Sequence, residues 1–333
     1  MVTLMNRADA WRDKGSYFSW SPRSGDAAEV QVFHVEVGDA GAPPLVLVHG
    51  FPTSSIDWVE VADLLSDRYR ICAMDFPGFG FSDKPLDWGY SLMRDAEVLE
   101  YYVADVLGLE SMILFAHDRG SSVAMIHTTS GNSRVNLKHL FLTNANIYLP
   151  MSNLTRAQRL MLDPETGPAL LAEGMGRATY TPPRGPDDPE IEALVAIFSH
   201  GEGLKVLHET IQYLVKRSED EGSWLEALAA LDVPTTFIWG VYDTVSPPRV
   251  VSYVWNKYMM KKPGRNTLYF IPDANHYLQN DQPESLVETI LHALEAPDDT
   301  PPGAIAQRLA APLLVDRSRS ELPRAADLLK KPG

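Results

Sequence analysis

The chain has 333 residues, 45% of them apolar, and a formal net charge of −15. The apolar share is enough for a large buried core, either as one domain with an insertion or as two domains. The negative charge disfavours nucleic-acid phosphates and anionic lipid, so neither a nucleic-acid partner nor a membrane partner is expected. No run of 18 apolar residues exists, and the first 15 residues lack the apolar core of a signal peptide. These features predict a cytoplasmic protein.

Short apolar runs recur along the chain and predict strands that are covered on both faces. At 28–37, apolar and polar residues alternate, which is typical of a half-exposed strand. The apolar runs follow at 45–48, 70–74, 112–116, 139–143, 235–239 and 267–271. Helical patterns lie between several of them, at 54–66, 91–107, 119–129, 247–257 and 282–295. This alternation predicts an α/β fold with a mainly parallel sheet.

The alternation breaks once, between about 148 and 230, where helical stretches occur without a convincing strand. We interpret residues 148–230 as a helical cap inserted into a core built from residues 1–147 and 231–296. A cap would cover the strand ends at which ligands bind in open α/β sheets. The extension 297–333 begins with a linker composition and is a candidate contact for a homo-oligomer.

The segment 111–125, SMILFAHDRGSSVAM, has the strand–turn–helix pattern of a nucleophile elbow. An apolar run meets a polar turn, and a run of small residues follows. The usual pattern is small-x-Ser-x-Gly, but here Asp118 stands at the serine position. Asp118 precedes a helix, so a plain N-cap is the alternative interpretation.

Two further polar residues follow the last two predicted strands. Asp243 comes after the run at 235–239, and His276 comes after the run at 267–271. Each has a simpler explanation, since Asp243 could cap a helix or form a turn and His276 is one of nine histidines. Taken together, Asp118, Asp243 and His276 follow one another in the order nucleophile, acid, base. This is the chain order of the α/β-hydrolase triad.

The segment HGFP at 49–52 follows an early predicted strand. We expect His49 to be structural, bonded to the backbone of its own turn, with Gly50 allowing a tight turn and Pro52 fixing it. The N–H of Phe51 can then join the N–H of Arg119 in an oxyanion hole.

An aspartate nucleophile suits a saturated carbon better than a carbonyl. Asp118 is ionised at neutral pH, so it can displace a leaving group or open a strained ring and form an alkyl ester. Water activated by His276 would then hydrolyse that ester, with Asp243 orienting the imidazole. No motif for a metal, a nucleotide or another cofactor is present, so the expected partner is a small-molecule substrate alone.

These residues resemble the epoxide hydrolase and haloalkane dehalogenase branch of the α/β-hydrolase superfamily. HGFP at 49–52 is similar to the HGxP form usual in epoxide hydrolases, and HDRG at 117–120 is similar to their HDxG elbow. The longer stretches HGFPTSSIDW, DFPGFGFSDKP, TNANIYLP and NHYLQNDQP look most like mesoderm-specific transcript proteins. The resemblance covers residues 28–295 and implies a mostly parallel eight-stranded sheet flanked by helices, with an inserted helical cap.

The resemblance leaves three functions open. Epoxide hydrolases use two cap tyrosines to protonate the epoxide oxygen, and the candidates here are Tyr213, Tyr148 and Tyr180. The second function is a dehalogenase of haloalkanes or haloacids. The third is a ligand-binding or signalling homologue without catalysis.

Several positions depart from the dehalogenase patterns. Haloalkane dehalogenases usually hold the halide with a tryptophan after the nucleophile and an asparagine or tryptophan elsewhere, and Arg119 and Phe51 occupy those positions. Of the two arginines of fluoroacetate dehalogenases, Arg119 matches the first and Ser122 replaces the second. Asn144 replaces the acid that those enzymes carry after the earlier strand. Epoxide hydrolysis is therefore the leading prediction.

Overall fold

An eight-stranded sheet forms the centre of the protein in the computed structural model, which describes residues 4–154, 156–166, 180–183 and 188–295. The strand order is β1-β2-β4-β3-β5-β6-β7-β8. The pairs β1/β2 and β2/β4 are antiparallel, and the remaining five pairs are parallel. The strands are β1 (Gly15–Trp20), β2 (Val30–Val37), β3 (Pro44–Val48), β4 (Arg70–Met74), β5 (Ser111–His117), β6 (Asn136–Thr143), β7 (Thr235–Gly240) and β8 (Asn266–Ile271). The mostly parallel α/β sheet expected from the sequence is confirmed.

The apolar runs form the centre of this sheet because both of its faces are covered. Along β3, Leu45 and Leu47 pack into one layer of the core, and Val46 and Val48 pack into the other. The parallel register of β3 and β5 sets Val48 beside Ala116. Side chains alternate between faces along a strand, so a continuous apolar run supplies both layers at once.

Helices cover the two faces of the sheet. The layer with Val46 and Val48 packs under α3, α4 and α9, and the layer with Leu45 and Leu47 packs under α1, α2 and α11. In α3, the Ser91 side chain accepts a hydrogen bond from the Arg94 N–H at 3.2 Å and so caps the helix. The helices are α1 (Leu4–Asp13), α2 (Val59–Leu65), α3 (Leu92–Tyr101), α4 (Arg119–Thr129), α5 (Arg156–Met161), α6 (Pro189–Ser199), α7 (Gly203–Thr210), α8 (Tyr213–Ala230), α9 (Pro248–Val254), α10 (Leu278–Asp281) and α11 (Pro283–Glu295).

Short segments of other helix types extend this framework. Single 3₁₀ turns lie at Ser55–Trp58, Leu149–Met151 and His200–Glu202. Wider π turns lie at Tyr102–Val106 and Trp255–Met259, each directly after an α-helix. The sequence pattern at 91–107 predicted one continuous helix, and the structure changes from α to π geometry at Tyr102 within that range.

The described residues between β6 and β7 form helices and contain no strand. They include α5 to α8, and α8 packs against α4. The cap boundaries at 148 and 230 stay a prediction, and the extension 297–333 lies outside the described residues. None of the helices in the described ranges combines the length and apolar character that a bilayer crossing requires.

Candidate active site

The parallel strands bring the predicted site residues to one edge of the sheet. Asp118 directly follows β5, Asp243 follows β7, and His276 follows β8. These strands run in the same direction, so their carboxyl ends lie side by side. We call Asp118, Asp243 and His276 the Asp–His–Asp group.

Asp118 lies at a sharp bend between β5 and α4. Its φ of 46° and ψ of −118° lie outside the regions that non-glycine residues usually adopt. Its N–H donates to the Thr143 carbonyl at 3.0 Å, and its own carbonyl accepts from the Ser121 N–H at 3.0 Å. The side chain makes no capping hydrogen bond to α4. The N-cap interpretation therefore does not account for Asp118, whose strained backbone is of the kind found at functional sites.

Close packing at this bend requires glycine on both sides. A Cβ on Gly50 would lie 2.7 Å from the Asp118 Cβ and 2.9 Å from the His117 Nδ1. A Cβ on Gly120 would collide with the backbone carbonyl of His49. The two glycines therefore let the HGFP turn and the elbow approach each other.

The two oxygens of Asp118 have different surroundings. Oδ2 accepts a hydrogen bond from the Phe51 N–H at 3.0 Å. Oδ1 lies 3.9 Å from the His276 Nε2, too far for a direct hydrogen bond. The backbone N–H groups of Phe51 and Arg119 both lower the pKa of Asp118. One oxygen is thus held by backbone and the other faces the imidazole.

His276 is oriented by Asp243. Its Nδ1 lies 3.1 Å from Oδ2 and 3.2 Å from Oδ1 of Asp243. Asp243 is itself fixed, since its Oδ1 accepts the N–H groups of Val245 and Ser246, each at 2.8 Å. Because Nδ1 faces a carboxylate, it carries a proton, and Nε2 is left free to act as a base toward the side of Asp118.

Burial and charge shift the pKa values of this group. Burial alone would lower the pKa of His276, but the carboxylates of Asp243 and Asp118 raise it above its ordinary value. Burial raises the pKa of Asp118, which is only 3% exposed, and the His276 charge and the Phe51 N–H oppose that shift. The imidazole thus becomes a stronger base through the carboxylates around it.

His49 holds the turn that presents Phe51. Its Nδ1 lies 2.8 Å from the Gly50 carbonyl, and its Nε2 accepts a hydrogen bond from the Phe76 N–H at 3.0 Å. Burial lowers the pKa of His49 to about 3, so the ring is neutral. Pro52 follows Phe51 through a cis peptide bond. These contacts give His49 a structural position within its own turn.

The structure separates the three candidate tyrosines. Tyr213 begins α8 and packs against the Phe51 ring, with 5.9 Å between centroids. Tyr180 stacks on Tyr277, the residue after His276, at 5.0 Å. Tyr148 stacks on Tyr253 at 4.4 Å. The first two thus contact residues beside the Asp–His–Asp group, and Tyr148 contacts a tyrosine of α9.

Tyr213 has a hydroxyl that makes no hydrogen bond with the described part of the chain. The Arg119 guanidinium lies 5.6 Å from the centre of its ring. Burial raises the pKa of Tyr213 well above its usual range, and the Asp118 charge adds to that shift. The hydroxyl therefore stays protonated and is available as a donor.

The Arg119 side chain forms a buried ion pair with Asp95 of α3. Its guanidinium also lies 5.0 Å from the centre of the Phe79 ring, in the loop that follows β4. Asp95 is fully buried, and burial raises the pKa of its carboxyl while Arg119 opposes that shift. The pair anchors the start of α4 directly after Asp118.

Two charged residues near the site were not predicted from the sequence. Asp57 is buried, accepts a hydrogen bond from the Thr53 hydroxyl, and has a pKa raised by burial to about 8. Arg217 of α8 is 1% exposed. Both could have been recognised as charged residues on a core-facing side of a helix. The sequence alone, however, does not show which side of each helix is buried.

A surface groove of about 920 Å³ lies elsewhere, between β1, α3 and α4. Its wall includes an ion-pair network in which Glu100 contacts His127 at 2.8 Å and Arg134 at 3.1 Å. The groove contains none of the Asp–His–Asp group, so we do not assign it to the reaction. Within the described ranges, no set of three His, Cys, Asp or Glu side chains could hold a metal ion.

Several known proteins are similar to this chain in sequence. Residues 43–174 match the family model described as alpha/beta hydrolase fold. Mesoderm-specific transcript protein of Mus musculus is 30% identical over 292 residues, covering 82% of this chain and 84% of that protein. Haloalkane dehalogenase 2 of Mycobacterium tuberculosis is 26% identical over 276 residues, covering 80% of this chain and 92% of that protein.

A solved structure is also similar. An alpha/beta hydrolase fold protein from Burkholderia ambifaria superimposes with a TM-score of 0.67 at 25% identity, covering 83% of this chain and 96% of that one. The fold and the relatives agree, and the chain belongs to the α/β-hydrolase family.

Proposed function

We propose that the protein hydrolyses epoxides to vicinal diols through an alkyl ester on Asp118. The observation that carries this proposal is the division of roles between the Asp118 oxygens. Oδ2 accepts from the Phe51 N–H, whereas Oδ1 faces His276 without a direct hydrogen bond. Oδ1 is therefore the attacking oxygen, and Oδ2 is the oxygen that the backbone stabilises later in the reaction.

In the first step, Oδ1 of Asp118 attacks an epoxide carbon and the carbon–oxygen bond of the ring breaks. The oxygen that leaves needs a proton, because an alkoxide is a poor leaving group. The unpartnered hydroxyl of Tyr213 supplies that proton. Its buried, protonated state supports this role, and Tyr180, stacked on Tyr277, is the candidate for a second donor.

In the second step, water attacks the Cγ carbonyl carbon of the Asp118 ester. The Nε2 of His276 takes one proton from this water, and Asp243 stabilises the resulting imidazolium. The negative charge then develops on Oδ2, where the Phe51 N–H donates to it. Collapse breaks the bond between Cγ and Oδ1, and the imidazolium protonates the departing alcohol. The second proton of the water returns to Tyr213.

A haloalkane dehalogenase is the second candidate function. The similarity to haloalkane dehalogenase 2 of Mycobacterium tuberculosis supports it. The same attack by Asp118 would release a halide ion, and no acid would then be needed for the leaving group. The position of Arg119 weakens this candidate, since its side chain pairs with Asp95.

The variant Tyr213→Phe separates the two functions. An epoxide hydrolase should lose about 10²- to 10⁴-fold in turnover of styrene oxide, because the general acid is removed. A dehalogenase should instead release bromide from 1-bromobutane in the wild type, with little change in the variant. Full epoxide turnover by Tyr213→Phe, at unchanged thermal stability, would contradict the acid role. Bromide release without diol formation would favour the second function.

A further inference from the structure

Arg217 is a buried cation whose two terminal nitrogens have no hydrogen-bond partner among the described residues. It lies on α8 and is 1% exposed. An unpaired charge inside a protein is costly, and buried charges are normally paired. This arginine therefore calls for an explanation other than packing.

The acidic residue that could pair with Arg217 is engaged elsewhere. Glu221 lies one turn along the same helix, but its Oε2 accepts the Leu149 N–H at 2.8 Å. Neither Nη atom of Arg217 makes a hydrogen bond to Glu221 in the described structure. Burial lowers the pKa of Arg217 to about 10 and raises the pKa of Glu221 to about 7, with only partial compensation between them. The Trp224 ring covers the guanidinium at 5.4 Å but accepts no hydrogen bond from it.

Arg217 lies beside the proposed reaction centre. Tyr213 and Arg217 are four residues apart on α8, so they share one face of the helix about 6 Å apart along its axis. α8 packs against α4, the helix that begins directly after Asp118. The Asp118 charge acts on the pKa of both Tyr213 and Arg217. The Tyr213 hydroxyl and the Arg217 guanidinium are thus two unpartnered donors on one face of α8, next to Asp118.

We propose that the substrate carries a carboxylate close to its reacting carbon, and that Arg217 binds this carboxylate through both Nη atoms. A planar guanidinium matches a planar carboxylate through two parallel hydrogen bonds. The net charge of −15 repels anions in general, so binding of one requires a specific cation. This inference rests on the proposed function, because Asp118 must react with the same molecule.

The test uses two epoxides that differ only in charge. These are 3-phenyloxirane-2-carboxylate and its neutral primary amide. The wild type should prefer the acid in kcat/KM, and Arg217→Met should reduce the acid-to-amide ratio by about 10- to 100-fold, through KM for the acid. Arg217→Lys keeps the charge without the paired donors and should recover only part of the ratio.

Lys216→Met is the matched control. It removes the same charge from the neighbouring residue, whose side chain is 47% exposed and paired with Glu219 and Asp220. The acid-to-amide ratio should change less than twofold. An equal loss in Lys216→Met and Arg217→Met would mean that overall charge, and not a specific site, sets the preference, which would overturn the proposal.

Binding of 3-phenylpropionate separates failure of this inference from failure of the proposed function, since it needs no turnover. Calorimetry should detect binding to the wild type and a loss of at least tenfold in Arg217→Met. If the epoxides are inert but this binding is found, the carboxylate site stands and the epoxide reaction fails. If both epoxides react equally and Arg217→Met binds 3-phenylpropionate as the wild type does, the reaction stands and the carboxylate site fails. Arg217-dependent binding of bromide without binding of 3-phenylpropionate would also overturn the proposal.

Thermal unfolding without ligand gives an independent readout. An arginine kept for stability would make Arg217→Met melt at a lower temperature than the wild type. An arginine left unpaired for a ligand should give an unchanged or higher Tm on replacement by a flexible apolar side chain, because the desolvated charge is removed. A lower Tm together with an unchanged acid-to-amide ratio would assign Arg217 to the core and refute the proposal.

Discussion

Nε2 of His276 lies 3.9 Å from Oδ1 of Asp118, while Nδ1 of the same ring lies 3.1 Å from Oδ2 of Asp243. The imidazole is therefore bonded to one carboxylate and only faces the other. A base that bonded directly to the nucleophile would be suited to activating a hydroxyl group. A base held slightly away from a carboxylate is instead suited to a water molecule that attacks the ester formed there.

Replacing His276 with glutamine should stop the reaction after its first half. Asp118 needs no base to attack, so the alkyl ester should form and persist. We expect kcat to fall by about 10³-fold or more. Intact-protein mass spectrometry after addition of an epoxide should show a mass increase equal to that of the substrate.

His208→Gln is the control for that variant, since His208 lies partly exposed on α7. It should turn over like the wild type and accumulate no adduct. Appearance of product at the wild-type rate in His276→Gln would remove the imidazole from the mechanism.

The pH dependence of kcat should show an acidic limb with an apparent pKa above the ordinary histidine value of 6.5. His276 must be neutral to accept a proton, and its carboxylate neighbours raise its pKa. Activity is therefore lost as the pH falls through this raised value. Asp118 is esterified at this step and does not titrate, so the apparent pKa of the limb is that of His276 in the ester intermediate. A limb centred below 6.5 would contradict this electrostatic account.

Asp243→Asn should move that limb to lower pH. The amide cannot stabilise the imidazolium, so the pKa of His276 should fall. The maximal rate should also drop by about 10³- to 10⁴-fold, because the amide no longer fixes the reactive tautomer. The pH profile and the maximal rate are separate readouts, and a merely structural role for Asp243 would leave the limb where it is.

Gly50→Ala should disrupt the elbow. The added methyl group would lie 2.7 Å from the Asp118 Cβ and 2.9 Å from the His117 Nδ1. We expect a destabilisation of about 1–3 kcal/mol and a loss of activity beyond tenfold. Chemical unfolding and kcat/KM measure these effects.

Gly222→Ala makes the same change at a site with open space. Gly222 lies inside α8, and nothing lies within 4 Å of an added Cβ. Alanine favours a helix over glycine, so this variant should be more stable by about 0.5–1 kcal/mol. Equal effects of the two substitutions would show that the close approach at Gly50 is unimportant.

Breaking the buried pair of Arg119 and Asp95 should cost more than removing it whole. Asp95→Leu leaves the Arg119 charge buried and should destabilise the fold by about 3–5 kcal/mol. Arg119→Met combined with Asp95→Leu should recover much of this loss, since neither charge remains. A double-mutant cycle measured by denaturant unfolding gives the coupling energy, and additive losses would contradict the pairing.

The sequence predicted the central strands well because their apolar runs are continuous. Strands β3 to β8 lie on the six predicted runs, and their ends place Asp118, Asp243 and His276 together. The helix α1 and the strand β1 were not predicted. β1 pairs in antiparallel register at the sheet edge, with Gly15 beside Val35, and its residues include exposed and buried positions without a long apolar run. Tertiary pairing determines that strand more than its own pattern does.

The site residues that the sequence did not predict were missed for a different reason. Asp118 could be recognised because a short turn and small residues mark an elbow. Arg217 and Asp57 could not be recognised because their significance depends on which side chains lie around them in space. The sequence likewise left Tyr148, Tyr180 and Tyr213 equivalent, whereas their ring contacts with Tyr253, Tyr277 and Phe51 separate them.

The most direct measurement is the fate of water oxygen in a single turnover. Enzyme in excess over styrene oxide is allowed to react in heavy-oxygen water, and the peptide that contains Asp118 is then examined by mass spectrometry. An ester intermediate predicts that the label enters the Asp118 carboxylate, while the diol from this first turnover carries oxygen from the unlabelled enzyme. Label in the diol with none in Asp118 would mean that water attacks the substrate directly, and would contradict the account.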